Sequence, residues 1–78
     1  MTEKIRVPFR VKVQSEIRLD QFLKWANVSG SGGQSKMMIQ SGMVKVNHVV
    51  ETRRGKMLKD NDLVEVEGAG SFLVCQEV

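Results

Sequence analysis

Between Ser31 and Asn47 the chain reads Ser-Gly-Gly-Gln-Ser-Lys-Met-Met-Ile-Gln-Ser-Gly-Met-Val-Lys-Val-Asn, and this run leaves few choices of fold. Small residues open a short helix, Gly42 closes it, and Val44 to Val46 alternates as a strand toward a two-residue hairpin turn at Asn47-His48. Nowhere else do helix start, helix stop, strand and turn signals follow without a gap. Glycine is the usual second residue of such a turn, but histidine tolerates a positive φ better than most. His48 therefore reads as a turn residue rather than a catalytic base.

The flanking segments fit around this run. From Ile5 to Val13 every odd position is apolar and the even ones are Arg6, Pro8, Arg10 and Lys12, the period-two pattern of a strand with one buried face. Pro8 lacks an N–H, which places the strand at a sheet edge, and the basic row reads as its solvated side. Leu19, Phe22, Leu23 and Ala26 then fall at helical spacing, with Asp20 in the first turn. Trp25 borders this stripe and is expected in the core, because no interleaving of aromatic with basic residues marks a base-stacking surface. Ser35 is small where the second helix should meet the first, and Met37 and Met38 read as core or border residues. After the hairpin come a basic loop from Thr52 to Lys56, Met57-Leu58 returning to the core, a turn at Lys59 to Asp62, and strands at Leu63 to Glu67 and Ser71 to Cys75. The expected fold is α+β, two short helices packed on a small, mainly antiparallel β-sheet, in a single domain spanning residues 1–78.

With 78 residues, 12 Lys and Arg against 9 Asp and Glu, and a net charge of +3, the chain suits a polyanionic partner without requiring one. No apolar run approaches the roughly 20 residues that span a bilayer. The start lacks the apolar block of a signal peptide, and Cys75 is the sole cysteine. These features predict a cytoplasmic protein with no membrane contact. A lone His48, and Cys75 in an expected buried strand, give no nucleophile–base arrangement. Asp60 and Asp62 lack the further oxygen ligands of a calcium site, and no nucleotide-binding loop is complete. No catalytic residue, metal or cofactor is expected.

What remains is an arrangement suited to phosphate: the helix-start amides of Gly32, Gly33 and Gln34, with Lys36 one turn on. Arg18, Lys45 and Asn47, and Arg53, Arg54 and Lys56 of the basic loop, complete the candidate set. Asn47 either contacts a ribose or base edge or stabilises its own turn. Gly32-Gly33-Gln34 also matches the tripeptide of peptide-release factors, but here it opens a helix in a small domain that lacks the rest of such a factor, so peptidyl-tRNA hydrolysis is the weakest reading.

The ordered motifs Arg18-Leu19-Asp20, Phe22-Leu23, Met38 to Asn47 and Asp62-Leu63-Val64 closely resemble the S-four RNA-binding domain, named after a small-subunit ribosomal protein. The resemblance covers residue 17 to about 67. It is strongest to short stand-alone bacterial members, which similarly carry Gly-Gly-Gln-x-Lys before the second helix and Glu-Thr-Arg-Arg-Gly after the hairpin. It implies the S-four (αL-motif) fold, with structured RNA, ribosomal or transfer, bound across the helix pair and the adjoining loop, and a ribosomal particle as a further partner. In many members a separate catalytic domain supplies the chemistry; this chain, expected to be a monomer, would bind without catalysing. The alternative is a protein-interaction module whose basic face meets an acidic surface. The sequence departs from the family at Ser31-Gly32 (usually Ser-Arg), at His48 and at Asn61 (both usually Gly). Lys36 and the glycine amides would replace the missing arginine.

Overall fold

The computed structural model describes residues 8–77. Their elements are β1 (Phe9–Val13), β2 (Ile17–Arg18), α1 (Leu19–Trp25), α2 (Gly32–Gln40), β3 (Val44–Val46), β4 (Val49–Val50), β5 (Met57–Leu58), β6 (Leu63–Val66) and β7 (Gly70–Gln76). Five strands form one sheet in the order β1-β7-β6-β3-β4, and β2 pairs with β5 in a separate ribbon. Only β1 and β7 run parallel; the other neighbours are antiparallel.

β1 is an outer strand, and Pro8 stands just before it, where a missing N–H costs no interior bond. Ile5 and Val7, the first apolar positions of the expected strand, lie outside the described residues. Along the remainder, Val13 is buried, Val11 half-buried and Phe9 66% exposed. The buried face expected from period two is therefore real only at its C-terminal end. Phe9, Val11 and Val13 pair with Phe72, Val74 and Gln76, and the core thins toward Phe9, whose ring rests against Phe72 with centroids 5.7 Å apart.

Leu19, Phe22 and Leu23 of α1 and Ile39 of α2 are fully buried against Val44, Val64 and Val74 of the sheet. Each side chain so buried contributes about 1.5–3 kcal/mol. Trp25 is not part of this core: it is 62% exposed, and its indole Nε1–H donates to the Lys12 carbonyl at 2.8 Å. Leu19, Phe22 and Leu23 already fill the space beneath α1, so the large ring is left at the rim, where its single polar atom finds a main-chain partner. Met38 packs on the core from its border, while Met37 is exposed. Cys75, expected to be buried, is half-buried near the end of β7.

Both helices end alike. Asn27 (φ +60°) follows α1, with Asn27 N–H bonded to Lys24 O and Val28 N–H to Leu23 O. Gly42 (φ +84°) follows α2, with Gly42 N–H bonded to Ile39 O and Met43 N–H to Met38 O. These are Schellman caps, which need a residue tolerant of the left-handed region. Ser35 of α2 has no exposed surface and shares a hydrogen bond with the hydroxyl of Ser29 in the loop between the helices.

The complete burial of Ser35 predicts a steep cost for added volume. Ser35→Leu should lower unfolding stability by about 1–3 kcal/mol through overpacking, read as a fall in urea midpoint. An unchanged midpoint would show that the site has room for the larger side chain.

Candidate nucleic-acid interface

The basic loop is a tight turn in which Lys56 N–H bonds to Arg53 O at 3.2 Å. It is fastened to the start of α1 through its main chain: Leu19 N–H donates to Lys56 O at 2.8 Å and Asp20 N–H to Arg54 O at 3.1 Å. The first amides of a helix have no intrahelical acceptor, and here the loop carbonyls supply one. Pairing of Arg18 with Met57 in the β2–β5 ribbon holds the same junction from the other side. The structure thus brings Arg18 together with Arg53, Arg54 and Lys56.

Two of these arginines are oriented by carboxylates, Asp20 and Glu51, that are not among the expected site residues. Arg18 donates from Nε and Nη2 to Asp20, at 3.2 and 3.1 Å, and the Asp20 carboxylate is almost fully buried. Arg53 donates from Nε and Nη2 to Glu51, at 2.9 and 3.2 Å, and its own N–H bonds to Glu51 as well. In each pair the acid lies two residues from the arginine, and that spacing was the available signal. A carboxylate along one edge of a guanidinium leaves its other donors pointing outward in a fixed plane. The hydrogen bond from Arg53 holds the Glu51 carboxyl below its usual 4.5 despite partial burial, and the same bond raises Arg53. Arg54 is exposed and Lys56 half-buried, and neither side chain has an ion-pair partner among the described residues.

The start of α2 forms a second cluster. The Ser31 hydroxyl caps the helix by accepting from Gln34 N–H at 3.1 Å, and the Gln34 side-chain oxygen Oε1 accepts from Gly30 N–H at 2.7 Å. This reciprocal pair resembles a capping box. Gln34 is therefore engaged in shaping the helix start, and the Gly-Gly-Gln tripeptide is the helix's first turn. The Gly32 and Gly33 amides and Lys36 remain exposed. Ser29 N–H bonds to Leu23 O, so α2 begins beside the C-terminal turn of α1. The basic loop sits at the opposite end of α1, about 10 Å away at 1.5 Å rise per residue.

Asn47 and Lys45 lie elsewhere. Asn47 and His48 have φ of +52° and +71°, the two positive values of a type I′ hairpin turn. Asn47 donates from Nδ2 to Asp62 at 3.0 Å and accepts from Leu63 N–H at 2.9 Å, tying the hairpin to the next turn. Of the two roles open to it, the turn-stabilising one occupies its side chain. Lys45 is paired across strands with Glu65 and Val50 on the sheet face opposite the buried Val44 and Val46, away from the helices. His48 Nδ1 lies 3.0 Å from Glu65. The described residues hold no cluster of potential metal ligands, and no helix among them is long and apolar enough to cross a membrane.

A cationic loop fastened to a helix pair over a small antiparallel sheet is the architecture that the ordered motifs imply. The chain belongs to the S4 domain family, whose model matches residues 9–74. It is also similar to a protein of Bacillus subtilis (strain 168) named "Probable ribosome maturation protein RlbA", with 48% identity over 58 residues, covering 74% of this chain and 82% of the relative.

Two outcomes follow from this geometry. Asn47→Ala removes both side-chain bonds and strains a left-handed position, and should cost about 1–3 kcal/mol of stability by urea denaturation. Asn47→Gly, free of the strain, should lose less; equal losses would mean that φ is not positive there. The contribution of Glu51 is present above pH 4.5 and should be lost as pH falls through its depressed value. Followed by NMR, the Arg53 Nε–H resonance should shift in that window and stay constant in Glu51→Gln.

Proposed function

We propose that this chain acts by binding structured RNA, ribosomal or transfer, in the course of ribosome maturation, and that it does so in the cytoplasm as a monomer without catalysing a reaction. The observation that carries this reading is the fastening of the basic loop to α1 beside Arg18, which presents several cations on a fixed backbone. Membership in the S4 family and the printed name of the Bacillus relative support it.

In this reading Arg18 and Arg53, already planar and oriented, offer paired donors to phosphate oxygens, while Arg54 and Lys56 add unpaired charge. The Gly32 and Gly33 amides with Lys36 make the second anchor, at the start of a nine-residue helix. Gln34 and Asn47 serve by shaping their turns. Lys45, on the far side of the sheet, is left out of the surface.

The test is a filter-binding titration against purified ribosomal RNA at several salt concentrations. Each neutralised phosphate contributes about 0.7–0.9 to the log–log slope, so the double change Arg54→Glu and Lys56→Glu should flatten the slope by roughly one to two units while leaving the melting temperature nearly unchanged. A slope indifferent to that change, or no retention of RNA at all, would sink the proposal. Stoichiometric recovery of an acidic protein after nuclease treatment would favour a protein-interaction module.

A further inference from the structure

Beyond phosphate binding, we infer that Trp25 is a stacking platform for one unpaired base of the RNA, an inference that rests on the RNA-binding reading above. Trp25 sits at the C-terminal end of α1 with 62% of its surface exposed, although its indole is not free to swing: Nε1–H is bonded to the Lys12 carbonyl at 2.8 Å. An aromatic ring held by its edge, with its faces largely open, has lost much of the rotamer entropy that stacking would otherwise cost.

The surroundings suit a base of a polyanion. Trp25 borders a shallow hollow of about 400 Å³ lined with Ile17, Gln21 and Lys24, near the lower end of the size range of ligand pockets. Gln21 carries both a donor and an acceptor and can meet the edge of a base. Lys24, exposed beside the ring, suits a neighbouring phosphate.

Position on the helix links this site to the phosphate-binding loop. Gln21 and Trp25, four residues apart, share one flank of α1, and Arg18 stands immediately before that helix, at the end where the basic loop is fastened. A strand whose phosphates are held at Arg18 and the basic loop would be led along that flank to Trp25. The core does not use the ring, and the anchoring bond fixes it without covering it. Single-stranded and loop regions of RNA, whose bases are unstacked, are the targets that aromatic faces accept.

The chain has one Trp and no Tyr, so its intrinsic emission reports on this residue alone. Titrating the full chain with purified ribosomal RNA, with emission and filter retention read on the same samples, should give quenching that saturates at the retention midpoint. Trp25→Ala should weaken binding by roughly 5- to 100-fold, the usual range for loss of one stacked base, and leave the salt slope unchanged because no phosphate contact is lost. Trp25→Phe, which keeps a stacking face but cannot bond to Lys12, should bind closer to wild type and so separates stacking from a merely structural role. Retention with unaltered emission and undiminished affinity in Trp25→Ala would overturn the stacking inference while RNA binding stands. Emission that responds to ribosomal protein and not to protein-free RNA would overturn it too. Absence of any retention would remove the RNA reading itself.

Discussion

Two main-chain hydrogen bonds, from the first amides of α1 to the carbonyls of Arg54 and Lys56, set the layout of the molecule. A helix start is an unsatisfied donor site wherever it is covered by protein, and here the covering segment is also the most cationic one. Because carbonyls make the attachment, the loop's side chains are released from structural duty. Fold and charge are thereby separated within one segment: the carbonyls of Arg54 and Lys56 close α1, while the Arg53 and Arg54 side chains stand exposed and Lys56 is half-buried.

The ion pairs of Arg18 and Arg53 refine that arrangement. Each pair lowers the local net charge, which weakens long-range attraction, but each also fixes a guanidinium that would otherwise lose rotamer freedom on meeting a partner. In each pair the guanidinium stays exposed while the carboxylate is largely covered. Their effect is better placed in orientation, with Arg54, Lys56 and Lys36 left to supply the unpaired charge. The two cationic clusters, at opposite ends of α1, then define a surface longer than either.

Much of this was legible in the residues. The i, i+3, i+4 stripe of α1, the Gly42 cap, the Asn47-His48 turn and the alternation of β3 and β7 are local signals, and local physics decided them. Trp25 was misplaced because periodicity locates a face without saying how much volume the opposing sheet can accept. Phe9 was misplaced because the pattern of β1 continues past the place where the helices stop covering it. The β2–β5 ribbon is only two residues per strand, too short for any pattern, although it is what joins Arg18 to the basic loop. Lys45 and Asn47 stand apart from the helix surface for a different reason: Lys45 follows the sheet's alternation to the far face, and the Asn47 side chain is engaged by Asp62 and Leu63.

The parallel pairing of β1 with β7 joins segments about sixty positions apart, and such distant contacts make folding slow relative to chain length. During synthesis β1 emerges early but its one neighbour among the described residues, β7, emerges after every other described strand, while α1, α2 and the β3–β4 hairpin can already assemble from nearby residues. The nascent molecule would thus carry an unpaired strand, with Val11 and Val13 uncovered, until β7 leaves the ribosome and pairs with it. Losing β7 would take away the one partner that β1 has among the described residues and one of the two partners of β6, so deleting those seven residues would cost more than their number suggests.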